Sequence, residues 1–179
     1  MFWISAIIVA FIHDYDGIDH KYKDSDRESL KLLRSFLVDL MDVYELISIS
    51  GKDVVEELIQ IASCISYSKE NNAIVNGTPI DFEILDKILK GSKIRNIVSD
   101  ADKLDAIGKY GFSRFVAHTE HILFLKNGKK PTREELLEPI KHHSNEMLRL
   151  KDHFIRTAKG KALAIEAHHV FEIELHKFK

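Results

Sequence analysis

The stretch SDRESLKLLRSFLVDLM, Ser25–Met41, decides the fold class. Ser25-Asp26-Arg27-Glu28 has the Ser-x-x-Glu spacing of a capping box, in which the first turn of a helix satisfies two otherwise unpaired N–H groups. Behind it Leu30, Leu33, Phe36, Leu37, Leu40 and Met41 recur at helical intervals and mark one apolar stripe. The same grammar returns along the chain. Val54, Val55, Leu58, Ile59, Ala62 and Ile65 form a second stripe, and Thr132-Arg133-Glu134-Glu135 repeats the capping-box spacing. No run alternates apolar and polar residues as a half-buried strand would. The chain is expected to be all-α.

Working outward, Asp14 to Asp24 is polar, contains Gly17 and reads as a loop, and Ser48–Lys52 with Gly51 breaks the next pattern. Asn71–Pro79 is the clearest loop. Asp81 is expected to cap a short helix bearing Phe82, Ile84, Leu85, Ile88 and Leu89, with Gly91 as its stop. Ser99–Gly108 is expected to open the following helix, which continues through Phe112, Phe115 and Val116. Phe112, Phe115 and Phe124 read as core. Asn127–Pro131 is a second exposed loop. Pro139 starts or kinks the next helix, which runs through Leu148 and Leu150, and a last helix spans about Thr157 to Phe178.

The 179 residues fit one domain, 1–179, long enough to bury a core. With 45% hydrophobic and 30% charged residues the composition is that of a soluble globular protein. A formal charge of −2 gives no global drive toward nucleic acid or an anionic membrane, so neither is expected as a partner. Cys64 is the only cysteine, which excludes an intrachain disulfide and a cysteine-built zinc site and fits a reducing, cytoplasmic location. Met1–Ile12 is almost wholly apolar, yet it has no basic leader and stops at His13-Asp14, short of the ~20 residues a membrane span needs. It reads as a buried core helix that delivers His13 and Asp14 to the centre of the domain.

Chemistry concentrates in Ser99-Asp100-Ala101-Asp102-Lys103-Leu104-Asp105-Ala106-Ile107-Gly108. Asp102 and Asp105 are one helical turn apart and share a face. An adjacent His13-Asp14 pair from another helix supplies, with such carboxylates, the donors a hard or borderline divalent metal takes.

These residues occur in an order that resembles a known family. His13-Asp14, Asp19-His20-Lys21-Tyr22, Ser66-Tyr67-Ser68-Lys69-Glu70 and the Asp100–Gly108 motif look like the small stand-alone histidine–aspartate (HD) metal-dependent phosphohydrolases, the YedJ-like group with its eukaryotic and viral relatives. Gly111-Phe112-Ser113-Arg114, His142-His143, Leu148-Arg149-Leu150 and Thr157-x-x-Gly160-Lys161 resemble the same family, so the similarity runs from about Ala10 to Leu175. The resemblance implies an HD-type helical bundle. It also implies a divalent metal (Mn, Fe, Ni or Zn) held by His13, Asp14 and Asp102, acting on a small phosphorylated compound such as a nucleotide at a phosphomonoester or pyrophosphate bond.

Within that reading Asp14, Asp102 and Lys103 are the expected catalytic residues, and Lys21, Lys69, Arg114 and His142 the expected substrate contacts. Each has a plainer alternative. Asp14 and Asp102 would otherwise cap helices, the cations would belong to solvated faces, and Asp105 would pair with Lys109. Asp100 either orients a ligand or caps the motif helix. The family's first metal-binding His, upstream of the pair, has no counterpart, because none of the twelve residues before His13 is His. That departure is expected to reflect a late start, a truncation or a lost ligand, and it favours association with another copy or a partner. It also carries the rival expectation of a non-catalytic protein with a degenerate site that binds a nucleotide or a protein.

Overall fold

Helical periodicity and capping carry through to the three-dimensional chain. The structure, a computed structural model, describes residues 2–15, 26–43 and 53–178. Among these the elements are α1 (Phe2–Ile12), α2 (Asp26–Val43), α3 (Asp53–Ser63), α4 (Tyr67–Val75), a 3-10 turn (Phe82–Leu85), α5 (Gly91–Ala106), α6 (Lys109–Asn127), α7 (Arg133–His153) and α8 (Ala158–Phe178), with no strand. The fold is all-α. The capping box at Ser25, the loop around Gly17 and the break at Gly51 lie outside the described residues.

The chain forms two compact units, residues 1–99 and 100–179. In the first, α1 and α2 each pack on α3, which also meets the 3-10 turn. Successive turns of α3 bury Val54, Val55, Leu58, Ile59, Ile61 and Ala62, making it the spine of a core that includes Val9, Leu37, Met41 and Ile94. Each of the Val, Leu, Ile and Met side chains contributes roughly 1.5–3 kcal/mol when fully buried. Phe36, part of the stripe read from α2, is 58% exposed instead.

α1 departs from its expectation. It buries Ser5, Ala6, Ile8, Val9 and Ile12 on one side. Trp3, Ile4, Ile7 and Phe11 lie exposed on the other. A helix packed along one neighbour covers one stripe only, whatever residues occupy the rest.

The segment after α3 also differs. Asn71 to Val75, read as loop, is helix, because Ser66 caps α4 and accepts the Lys69 N–H, and no Gly or Pro intervenes before Gly77. The short helix expected from Phe82 to Leu89 is a single 3-10 turn, capped as foreseen by Asp81, which accepts the Glu83 N–H. Beyond it the buried Glu57 carboxylate accepts the N–H groups of Ile88 and Leu89, and Asp86 accepts both N–H and hydroxyl of Ser92. Gly91 opens α5 rather than ending a helix. A Cβ there would collide with the Leu85 carbonyl, so the close approach needs Gly.

The acidic motif closes α5 instead of opening a helix. Ile107 and Gly108 interrupt the path, and Gly108, at φ +103, takes a backbone conformation that L side chains rarely adopt.

In the second unit α6, α7 and α8 pack pairwise. Phe112, Leu136, Ile140, Phe171 and Leu175 are its buried centre, with Phe112 edge-on to Phe171 at 5.4 Å between ring centroids. Phe115 packs against this cluster, but Phe124 is 47% exposed. Thr132 and Glu135 form the reciprocal capping box at the start of α7, and Pro139 lies inside that helix.

Candidate functional site

In the first unit, α1 ends by placing His13 and Asp14 in the turn that follows it. The His13 side chain is only 15% exposed while that of Asp14 is 90% exposed, so the pair stands at the surface of the unit rather than at its centre. His13 Nδ1 lies 2.8 Å from the Ala10 carbonyl oxygen. A carbonyl only accepts, so Nδ1 carries the proton and Nε2 is left as the acceptor nitrogen. Nε2 faces Asp14 Oδ1 at 3.5 Å.

Two acceptors turned toward each other at that distance repel unless a cation joins them. A proton on Nε2 makes an ion pair, and a divalent metal makes a ligand pair. Metal-ligating histidines characteristically donate their other ring N–H to a backbone carbonyl or carboxylate, which fixes ring and tautomer. Imidazole nitrogen beside carboxylate oxygen is thus a donor set of the right chemistry for Mn²⁺, Fe²⁺, Ni²⁺ or Zn²⁺. Among the described residues, neither unit gathers three or more His, Cys, Asp or Glu side chains as a metal-binding group.

Lys69, in the same unit, sits in the first turn of α4 rather than in a loop. Its ammonium donates to the Ser63 carbonyl at 3.0 Å, across the end of α3. Lys21 lies outside the described residues, as does His20.

The motif residues take divergent positions on the part of α5 that belongs to the second unit. Asp102 and Asp105 are both exposed, as a one-turn spacing on a solvent-facing side requires. Asp105 pairs with Arg114 at 2.6 Å, not with Lys109. Arg114, expected to meet phosphate, is therefore already held by a carboxylate within its own unit. Lys103 is 2% exposed and partnered, a placement unlike a solvated helix face.

Asp100 is an anchor. Its buried carboxylate accepts the Arg156 N–H at 2.9 Å, the Thr157 N–H at 2.7 Å and the Thr157 hydroxyl at 2.6 Å. Thr157 in turn accepts the Gly160 N–H at 3.0 Å and so caps α8. Asp100 therefore does not cap the motif helix, in whose interior it lies; it holds the turn that leads into α8. His142 is exposed on α7, its ring 5.3 Å from that of His143, whose Nδ1 donates to the Pro139 carbonyl at 2.9 Å.

Three buried charges, Arg95, Glu70 and Glu57, escaped the sequence reading. Arg95 and Glu70 form an ion pair at 2.6 Å with both side chains out of water, while Arg95 Nε donates to the Cys64 carbonyl and its guanidinium stacks 3.9 Å from the centroid of the Phe82 ring. Nothing local in the sequence marks Arg95. Glu57 was detectable, because it falls three residues after Val54 on the apolar side of α3.

No family model matches the chain, and neither a curated protein nor a solved structure does.

Proposed function

We propose that the protein is an HD-type metal-dependent phosphohydrolase acting on a small phosphorylated compound, with a nucleotide as the leading substrate class. The observation that carries the reading is the His13–Asp14 pair: Nδ1 committed to the Ala10 carbonyl, and Nε2 facing a carboxylate oxygen at 3.5 Å. His13, Asp14 and Asp102 are the ligand set that the sequence resemblance implies. When bound, the metal supplies an activated water and polarises a phosphoryl oxygen.

The chain's own contribution begins with position and protonation. The Ala10 carbonyl holds the imidazole in the tautomer that turns an acceptor Nε2 toward Asp14. In this reading the Asp14 side chain, 90% exposed beside His13, is the general base for the attacking water. Lys69 has three donors and gives one to Ser63, which leaves N–H groups to orient an anionic substrate. The exposed His142 is a further candidate substrate contact.

The deciding experiment reconstitutes the full chain with Mn²⁺, desalts it and measures retained metal, in parallel with His13→Ala, Asp14→Asn and Asp102→Ala. Near-stoichiometric metal in the parent, lost in all three variants, with nucleotide hydrolysis that follows the metal, is the expected result. A folded parent that retains no metal and hydrolyses no nucleotide would overturn the proposal and leave the non-catalytic binding protein in its place.

A further inference from the structure

The first unit holds an open cavity of about 290 Å³ lined by Phe2, Ile88, Leu89, Lys90 and Lys93. It lies at the opposite end of α1 from His13. At 1.5 Å rise per residue, Phe2 and His13 are separated by roughly 16 Å along the helix axis. The cavity is therefore distinct from the His13–Asp14 pair.

Its wall is held in place from behind. Glu57 accepts the N–H groups of Ile88 and Leu89, and Asp86 accepts from Ser92, so the acids bordering this segment are engaged with its backbone and with Ser92. Among the described residues neither the Lys90 nor the Lys93 ammonium meets a carboxylate. The Lys93 ammonium instead lies 5.4 Å from the centroid of the Phe2 ring. Two lysines that meet no carboxylate among the described residues thus border a space whose other walls are an aromatic ring and two aliphatic side chains.

That combination selects its occupant. A dianion answers two ammonium groups, and an apolar ring or short chain answers Phe2, Ile88 and Leu89. At ~30 Å³ per water-sized group the volume admits about ten such groups, which is a phosphoryl group with one small ring. We propose that this cavity is a second ligand site, binding a small organic phosphate with a single apolar or aromatic moiety.

The probe is phenylphosphonate, whose carbon–phosphorus bond resists hydrolysis, titrated calorimetrically into the full chain dialysed free of metal. Saturable one-to-one binding is expected, weakened at least fivefold by Lys93→Gln and by Lys90→Gly. Lys90 has a φ of +55, so glycine there relieves backbone strain, and the melting temperature of Lys90→Gly should hold or rise while binding falls. Phe2→Ala should weaken phenylphosphonate and leave inorganic phosphate unchanged. Asp14→Asn should bind like the parent, which separates this site from the proposed catalytic one. Absence of saturable binding, undiminished affinity in both lysine variants, or loss of binding in Asp14→Asn would each overturn the proposal.

Discussion

Replacing Gly160 with alanine tests the anchor that Asp100 provides. A Cβ at this position would overlap Asp100 Oδ2 and come within 2.8 Å of Thr157 Oγ1. Asp100 is 2% exposed and accepts three hydrogen bonds, so its carboxylate has no solvent to swing into. Displacing it sacrifices at least one charge-assisted bond, worth about 1.5–3 kcal/mol, together with the Thr157 cap at about 1 kcal/mol. The gain from alanine over glycine in a helix returns up to about 1 kcal/mol. The net loss is about 1.5–4 kcal/mol, or a fall in melting temperature of roughly 3–16 °C for a chain of this length. Urea unfolding followed by far-ultraviolet circular dichroism measures it directly. Gly77→Ala is the control, since Gly77 has a φ of +69 but nothing within 4 Å of an added Cβ, and its cost is backbone strain alone, ~1–2 kcal/mol. A Gly160→Ala protein as stable as the parent would refute the argument that Asp100 is locked against α8.

Two further perturbations follow from the same kind of reasoning. Arg95→Met or Glu70→Gln each breaks a buried ion pair by removing one partner and should cost about 3–5 kcal/mol, whereas the double replacement should cost clearly less than their sum; strict additivity in a double-mutant cycle would show the pair to be uncoupled. The Glu135 carboxyl is held below its ordinary value first by the hydrogen bond from the Thr132 backbone and then by Lys129. A lowered folded-state value means the stabilisation is complete above the unfolded glutamate range and is lost as pH falls through the folded value. The stability difference between parent and Glu135→Gln should accordingly be constant above about pH 5.5 and shrink below about pH 4, and a difference unchanged at acid pH would contradict the ionised capping box.

The parts of the fold legible in the sequence are those whose causes are local. The capping box at Thr132 lies within four residues, and the Asp81 cap is two residues from its donor, so both are readable from spacing alone. The failures occur where a distant group decides. Asp100 was open between two roles because its partners lie 56 and 57 positions later. Gly91 reads as a helix stop until the Leu85 carbonyl is seen against it. Lys69 reads as a loop cation because the cap at Ser66 hides in a polar stretch, and its bond to Ser63 becomes visible only when α4 turns back beside the end of α3. α1 carried too little information of its own kind: residues apolar on every side give no phase, so only packing could say which face is covered. Of the candidate site, the adjacency of His13 and Asp14 was explicit in the sequence. The tautomer set by Ala10, the burial of Lys103 and the engagement of Arg114 by Asp105 were not.

The exposed side of α1 gives the molecule an optical property. Trp3 is the sole tryptophan, and the residue is 69% exposed rather than part of the core. Its emission will report poorly on core melting, since its surroundings resemble water before unfolding as well as after. It is well placed to report something else. The Phe2 ring stands edge-on to it at 5.3 Å, and Phe2 is itself a wall of the cavity between Lys90 and Lys93. The chain thus carries its own fluorophore one aromatic contact away from that cavity, and occupancy there is readable as a spectral change without any added label.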